Sequence, residues 1–340
     1  MKLLFLVCSE AKNIKWITQY FEDKKYATLA LGMNSSMKNR TVKWRRSILF
    51  YNYIKLSVRS IQQSDKSDVI VSANFIVGAF TGFFCKIFGI KRTILSLNMI
   101  SHEKGFFNKL VRKIIYNTAF NYPYFYVTVN SSELLEEYAT EFNIQKKRFF
   151  LLYDCILSHY ENASYVEGDG SVFCGGEAMR DWQAYFAAAN LLPDVKFTAI
   201  ARKINFDNNL VVPKNVDLHF DTDFDFFYNQ LKQSSIVAVP LSTTAPAGLI
   251  VIIRAAMLSK PIIVTSTSST RNYVENKHNG LLIEKGDAVA LAAGISTLLA
   301  DNELRKQLTA TMHQTIEKFS LPNYSKTLEN IILEIKNESK

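Results

Sequence analysis

The sequence predicts an α/β protein of two layered domains, each a parallel sheet with helices on both faces, with a cleft between them. Three observations carry that prediction. Short β-branched runs alternate with segments of helical length along nearly all of the 340 residues. That length suggests two domains at roughly 150 residues each. The polar, glycine-bearing stretch Tyr160–Gly170 (YENASYVEGDG) separates two such alternations. The expected parts are an N-terminal domain over 1–160, a C-terminal domain over 161–320, and a helix over 321–340 that crosses back to the first domain.

In the first half, Leu3–Cys8 reads as a buried strand and Asn13–Phe21 as a helix. Thr28–Leu31 is a second strand, closed by Gly32, and the basic Asn34–Arg46 reads as a surface loop. Ser47–Gln62 is a helix, Asp68–Ser72 a strand, and Val77–Phe88 a very apolar helix. Arg92–Leu97 is a strand, followed by the loop NMISHEKGFF and a basic amphipathic helix over Asn108–Phe120. Tyr124–Val129 is a strand and Ser131–Phe142 a helix, capped by Ser131 or Ser132 with acidic residues near its start. Phe149–Tyr153 closes this set.

The second alternation starts with a strand at Val172–Cys174, a turn at Gly175-Gly176 and a helix over about Asp181–Leu191. Strands at Lys196–Ile200 and Asn215–Phe220 and a helix at Asp223–Gln233 follow. Val237–Pro240 is a buried strand, Ser242–Ala247 a small, polar loop, and Gly248–Leu258 a helix with Pro246 at or just before its first turn. Lys260-Pro261 stops that helix, and Ile262–Thr265 is the next strand. Leu281–Ile283 is a last strand, with helices at Asp287–Ala300, Asn302–Phe319 and Asn323–Ile335.

Hydrophobic residues make up 48% and charged residues 21%, enough for a full core and against global disorder. The cysteines Cys8, Cys85, Cys155 and Cys174 are scattered, which points away from a disulfide framework or a zinc site and toward a reducing compartment. The five histidines form no metal-binding spacing, so no metal is expected. The apolar run at the N-terminus is only Leu3–Cys8, shorter than a signal-peptide core of about 7–15 residues. No window reaches the roughly 18–20 apolar residues of a membrane span.

The net charge is +9, concentrated in the first half: Lys38, Arg40, Lys43, Arg45 and Arg46 crowd one segment, and Lys86, Lys91, Arg92, Lys109, Arg112 and Lys113 follow among aromatics. Such a half suits nucleic acid, an anionic membrane surface or a phosphorylated acceptor, or is a solvated basic face. No RNA- or DNA-binding module is recognisable, so nucleic acid is not expected.

The stretch around Gly248 is the leading candidate site. In an open parallel sheet, ligands bind outside the carbonyl ends of the strands, where a helix N-terminus offers free amides and a positive dipole end to an anion. Thr243, Thr244, Ala247, Gly248 and Leu249 form that loop and helix start. Gly175 and Gly176 follow a strand, and Arg180 comes soon after; glycines let backbone and ligand approach, and Arg binds phosphate bidentately. Neither GxGxxG nor a P-loop occurs. His102, in the loop after the fourth strand, is the candidate catalytic side chain.

The segments GLIVIIRAAMLSKPIIVT (248–265), RNYVENKHNGLLIEKGD (271–287) and DNELRKQLTATMHQTIEKFS (301–320) resemble retaining nucleotide-sugar glycosyltransferases of family 4, which have the two-domain GT-B fold. VFCGGEAMRDW (172–182) is similar to that family's first donor-domain strand, and VTVNSSELLEEYATEFNI (127–144) to its last N-terminal-domain segments. The resemblance implies a nucleoside diphosphate sugar held mainly by the second domain and an acceptor by the first. It implies Arg180 near the donor diphosphate, Ala247, Gly248 and Leu249 around phosphates and sugar, and His102 facing the transferred sugar. The resemblance implies an E-x7-E pair whose second glutamate binds the donor ribose, and here it is replaced: Pro246 stands at the first glutamate and Arg254 at the second, so either Arg254 is expected to meet phosphate or an acidic sugar instead, or catalysis is lost.

The expected function is transfer of a sugar from a nucleotide-diphosphate donor, without a metal, to a saccharide or lipid-linked acceptor in bacterial surface polysaccharide synthesis. The expected place is the cytoplasm, at the inner face of a membrane, with Val77–Arg92 and Phe106–Phe120 as the docking segments. The alternative is a catalytically silent GT-B protein that stabilises a partner enzyme; a sugar-nucleotide epimerase shares the fold class.

Overall fold

The computed structural model describes residues 1–33, 42–100, 109–156, 165–177 and 179–338, without the side chains of 42–46, 109, 110 and 112. It divides into two compact units: Met1–Tyr153 with Tyr324–Lys340, and Asp154–Asn323.

The first unit is a six-stranded, all-parallel sheet of β1 (Lys2–Val7), β2 (Ala27–Gly32), β3 (Val69–Ser72), β4 (Thr93–Ser96), β5 (Phe125–Val129) and β6 (Phe149–Leu151). Their order is β2-β1-β3-β4-β5-β6. The strands are near-continuous Leu/Ile/Val/Phe runs because a parallel sheet is covered on both faces. Helices α1 (Lys15–Asp23), α2 (Val42–Gln62), α3 (Phe75–Ile87), α4 (Lys109–Phe120) and α5 (Ser132–Glu141) make the crossovers. Right-handed connections put α1 on one face and α2 to α5 on the other, since only the β1-to-β2 step runs backward. The core joins Leu4, Leu6, Ile70, Phe75, Phe80, Ile94, Phe125 and Val127.

Capping follows the local sequence. The Asn74 side chain accepts from the amides of Ile76 and Val77, and Ser131 is the cap of α5, accepting from Leu134 at 3.2 Å. The sequence reading put 42–46 in a loop, but α2 already begins at Val42. That stretch carries charge but no Gly or Pro, and Lys and Arg are good helix formers.

The second unit repeats the plan with β7 (Val172–Gly176), β8 (Phe197–Ala201), β9 (Val216–Phe220), β10 (Ile236–Val239), β11 (Ile262–Thr265) and β12 (Leu281–Ile283). The order is β12-β11-β10-β7-β8-β9, again all parallel. The chain starts in the middle at β7, builds outward to β9, then crosses back to β10 beside β7. Helices α6 (Trp182–Leu191), α7 (Phe224–Gln233), α8 (Leu249–Met257), α9 (Ala288–Ala300) and α10 (Asn302–Thr315) pack around this sheet. Asp181, Asp223, Asp287 and Asp301 cap α6, α7, α9 and α10 through their carboxylates. Two expectations need correction. Gly175 and Gly176 are not a turn; they continue β7, paired with Ile200 and Ala201. The helix expected over Asn302–Phe319 ends at Thr315 and tightens to a 3-10 turn over Ile316–Phe319. There the Thr315 hydroxyl donates back to the Met312 carbonyl at 2.8 Å, and Phe319 stacks on Tyr273 with centroids 4.7 Å apart.

Helix α11 (Leu321–Glu338) belongs to the first unit from Tyr324 onward. Its apolar stripe buries Leu328, Ile331, Ile332 and Ile335. Glu329 accepts from Tyr20 at 2.8 Å and Tyr26 at 3.0 Å and pairs with Lys24 at 3.2 Å. The Lys336 ammonium donates to the Ser67 carbonyl at 2.7 Å.

Candidate functional site

The order of the second sheet reverses between β7 and β10, and a crevice outside the carbonyl ends of those two strands is where such a sheet binds ligands. The chain leaving β7 carries Arg180, and the chain leaving β10 carries the loop to Gly248. The two exits are stitched together. Arg180 and Leu241 form an antiparallel bridge. The Asp181 amide donates to the Pro240 carbonyl at 3.0 Å, and the Ser242 amide to the Met179 carbonyl at 3.1 Å. Leu241 is fixed further by its amide donating to the Thr265 hydroxyl at 2.8 Å, which brings in the exit of β11.

Arg180 is 8% exposed. Its Nε donates to the Gly175 carbonyl at 2.9 Å. The guanidinium lies on Gly176, where a Cβ would fall 2.7 Å from Cζ and 3.0 Å from Nε. Its Nη1 is 3.6 Å from where a Cβ on Gly248 would stand. Two glycines, one at the end of β7 and one at the start of α8, thus make the space in which one cation sits. Burial pulls the Arg180 pKa down from its ordinary value, while the nearby Cys174 acts the other way. An arginine remains a cation through such a shift.

Gly248 is the N-cap of α8, in the left-handed conformation at φ +76°, with no side-chain cap. A Cβ there would meet Val239 Cγ1 at 2.7 Å, so only glycine fits both the torsion and the space. The first amides of α8 therefore open at the crevice without a capping side chain. Thr243 turns its hydroxyl onto the Ala245 amide at 3.1 Å, which shapes the loop, and Thr244 is exposed. Ala247 is half-buried and Leu249 is buried at the helix start.

Gly175 has a different job from the one expected. A Cβ there would strike the rings of Phe173 and Phe227, each at 2.6 Å, so its smallness serves the packing of α7 on the sheet. Arg254 sits one to two turns along α8, half-buried, with its guanidinium 4.8 Å from the centre of the Phe224 ring. His102 lies outside the described residues, as do Lys38 and Arg40; the side chains of Lys43, Arg45, Arg46, Lys109 and Arg112 do too.

Sequence reasoning passed over Arg202, Lys203 and Phe224. Arg202 leaves β8 and pairs with Glu177 at 2.6 Å and Asp221 at 3.6 Å. The Lys203 ammonium sits 4.4 Å from the Phe220 ring centre. The available signal was position: each follows directly on, or within four residues of, a strand's carbonyl end.

With this geometry in place, comparison with known proteins is informative. Residues 201–314 match the family model described as Glycosyl transferases group 1. A probable sucrose-phosphate synthase 5 of Oryza sativa subsp. japonica is 28% identical over 106 residues, 31% of this chain and 10% of that one. The chain thus spans about a tenth of the length of that curated relative. Among solved structures, HepE from Anabaena in complex with UDP is similar with a TM-score of 0.70 at 15% identity, over 98% of this chain and 100% of the other. The lipopolysaccharide outer core galactosyltransferase WaaB, in its apo form, gives 0.66 at 14%, over 98% and 99%. Likeness at this level of identity establishes the fold, which is GT-B: two Rossmann-like units in one chain.

Proposed function

Starting from a glycosyl transferases group 1 segment over residues 201–314, we propose that the chain is a glycosyltransferase. It moves a sugar from a nucleoside diphosphate donor to a saccharide or lipid-linked acceptor, in the synthesis of a bacterial surface polysaccharide. One observation carries the reading: Arg180 is held between Gly176 and Gly248 at the reversal of the second sheet, beside the uncapped start of α8. A diphosphate placed there meets a fixed cation and converging amides. As the bond to the sugar breaks, negative charge grows on the departing diphosphate, and these donors are already oriented to receive it. The similarity to HepE in complex with UDP supports a uridine diphosphate donor, and the similarity to WaaB supports a surface-polysaccharide role.

The reaction needs no resident metal in this reading, since Arg180 and the helix amides take the charge a cation would neutralise; chelator leaves turnover unchanged. The first unit docks on an anionic membrane surface. Residues 24–132 hold 17 Lys and Arg against 3 Asp and Glu, so the rest of the chain is net acidic. On α3 and just beyond it, the rings of Phe80, Phe84 and Phe88 stack outward at 6.2 and 6.3 Å to an exposed Ile87 and Phe88 beside Lys86 and Lys91. No helix among the described residues is long and apolar enough to cross a membrane; the contact this reading gives the first unit is a peripheral one, through basic and aromatic side chains.

The test is calorimetric titration with UDP and GDP. Micromolar binding of one of them, weakened at least tenfold in Arg180→Gln, is the expected result. Binding unchanged in that variant removes Arg180 from the site. A second reading, a silent protein that stabilises a partner enzyme, is favoured by Pro246 and Arg254 standing where the family resemblance has glutamates. Absence of any nucleotide binding selects it.

A further inference from the structure

Strand β10 leaves its sheet in a way that its pairing with β11 does not dictate. Val237, Ala238 and Val239 lie opposite Ile262, Ile263 and Val264. The Val237 amide donates to the Pro261 carbonyl at 2.9 Å. Donors in a parallel ladder recur at every second residue, so Val239 and then Leu241 follow, and the ladder's acceptor for Leu241 is the Thr265 carbonyl. The Leu241 amide turns instead to the Thr265 hydroxyl, at 2.8 Å. The Thr265 carbonyl accepts from the Thr270 hydroxyl at 2.6 Å. On its other edge β11 runs on, with the Ser266 amide donating to the Ile283 carbonyl at 2.8 Å. Only the edge facing β10 is released.

Buried side chains hold this exchange in place. Leu241, Thr265, Thr267 and Thr270 are all buried. The Thr270 oxygen also accepts from the Thr267 amide at 2.8 Å, and the Thr267 hydroxyl accepts from the Thr270 amide at 3.1 Å. A buried polar group stripped of its partner is costly, so each of these bonds supports the next. The consequence falls on the crevice. Turned away from β11, Leu241 bridges Arg180, and its neighbours Pro240 and Ser242 are tied to Asp181 and Met179. Its side chain passes 3.4 Å from where a Cβ on Gly248 would stand, next to Arg180 Nη1 at 3.6 Å. Leu241 therefore lies beside both the buried cation and the start of α8.

On the basis of the diphosphate site read at Arg180 and Gly248, we infer that Thr265 and Thr270 are positioning residues for that site. They act through Leu241, setting how Arg180 and the first amides of α8 face the phosphates. Without the Thr265 hydroxyl, the acceptor left to the Leu241 amide is the Thr265 carbonyl, and the exit of β10 returns to the ladder, away from Arg180. Without the Thr270 hydroxyl, that same carbonyl is vacated and competes for the same amide. Two different atoms thus bias one choice in one direction. A neutral hydrogen bond biases such a choice about fivefold, and the apparent affinity of a ligand falls with the fraction of competent site.

The experiment is titration calorimetry on the full chain with UDP and with GDP. Thr265→Val and Thr270→Val keep the shape and drop one hydroxyl each; Thr265→Ser and Thr270→Ser keep the hydroxyl. The expected result is a nucleoside diphosphate bound about fivefold more weakly by each valine variant and within about twofold of the parent by each serine variant. Thr265→Val costs less on top of Arg180→Gln than it does alone, because the threonine acts through the site that Arg180 builds. Thr309→Val is the control for a lost buried hydroxyl elsewhere in the same unit: it removes a bond to the Arg305 carbonyl of 2.9 Å within α10 and leaves affinity unchanged. A thermal melt of each variant sets a temperature at which the folded protein is titrated. Should Thr265→Val not fold, Thr270→Val carries the test, since it leaves the acceptor of Leu241 in place. Parent affinity in the valine variants, equal loss in the valine and serine variants, or full additivity with Arg180→Gln overturns the inference. A loss in Arg180→Gln then leaves the diphosphate site standing, whereas failure of the parent to bind either nucleotide overturns both.

Discussion

The packing of Arg180 against Gly176 makes a sharp prediction for Gly176→Ala. The added methyl would lie 2.7 Å from Cζ and 3.0 Å from Nε of a guanidinium that is 8% exposed. No rotamer of alanine avoids this, because the Cβ is fixed by the backbone. Arg180 must therefore give up its hydrogen bond to the Gly175 carbonyl, which for a charged donor contributes about 1.5–3 kcal/mol. The residue must also keep φ +151°, which costs a side-chain-bearing residue about 1–3 kcal/mol. Together these give about 3 kcal/mol or more, a fall in melting temperature of roughly 6–12 °C for a unit of this size. The displaced guanidinium no longer faces Gly248, so nucleoside diphosphate affinity falls at least tenfold. Gly286→Ala is the control: φ is +80°, but nothing lies within 4 Å of the new methyl. It costs only the torsion, about 1 kcal/mol, and leaves nucleotide affinity unchanged. Scanning calorimetry and titration read both quantities. A Gly176→Ala protein that melts within about 2 °C of the parent and binds nucleotide equally well refutes the placement of Arg180 (a shift that small is under 1 kcal/mol).

Glu329→Gln should lower stability at neutral pH by about 2 kcal/mol, because it removes a charged acceptor shared by Tyr20, Tyr26 and Lys24. Burial by itself raises the Glu329 pKa, but the hydrogen bonds from Tyr20, Lys24 and Tyr26 outweigh it and hold it below 4.5. A depressed carboxyl stabilises the fold above its unfolded pKa and loses that effect as pH falls through the folded value. The parent should therefore lose more stability than the variant on acidification from pH 5 toward 3; parallel pH profiles would contradict the role given to Glu329. Burial pushes the thiols of Cys8, Cys85 and Cys174 up to about 12, and burial with the Asp154 charge does the same for Cys155. At pH 8 about one in ten thousand of each is thiolate, so a thiol reagent should label the native protein slowly and four sites quickly in denaturant. Fast labelling of the native chain would place one of these cysteines in a more open setting. Vesicles rich in phosphatidylglycerol should retain the parent and release Phe88→Asp, whereas neutral vesicles should retain neither; equal retention of both proteins argues against the α3 surface as the contact.

The strands were legible because a parallel sheet buried on both faces admits almost nothing but branched and aromatic residues. Val69–Ser72, Ile236–Val239 and Ile262–Thr265 announce themselves in this way. The aspartates before α6, α7, α9 and α10 mark the helix starts just as plainly, because an N-cap is set locally, by one carboxylate and the amide three residues on. Gly175-Gly176 misled because glycine usually punctuates a chain. Here the register with Ile200 and Ala201, and the rings of Phe173 and Phe227, make it strand. The early start of α2 was hidden by charge, which says where a segment is solvated more than how its backbone turns.

By itself the sequence determined two parallel α/β units and the strand-loop-helix around Gly248, the stretch it offered as a candidate place for an anion. Those are local facts: period, propensity and the identity of single side chains. Only the tertiary structure decided that Arg180 and Gly248 meet, since they are 68 residues apart and come together only because β10 returns to lie beside β7. It also decided that Gly176 makes room for the protein's own guanidinium, and that Arg254 rests on the Phe224 ring. Strand order and side-chain contact are settled by how the whole core packs, and no window of neighbouring residues contains that information.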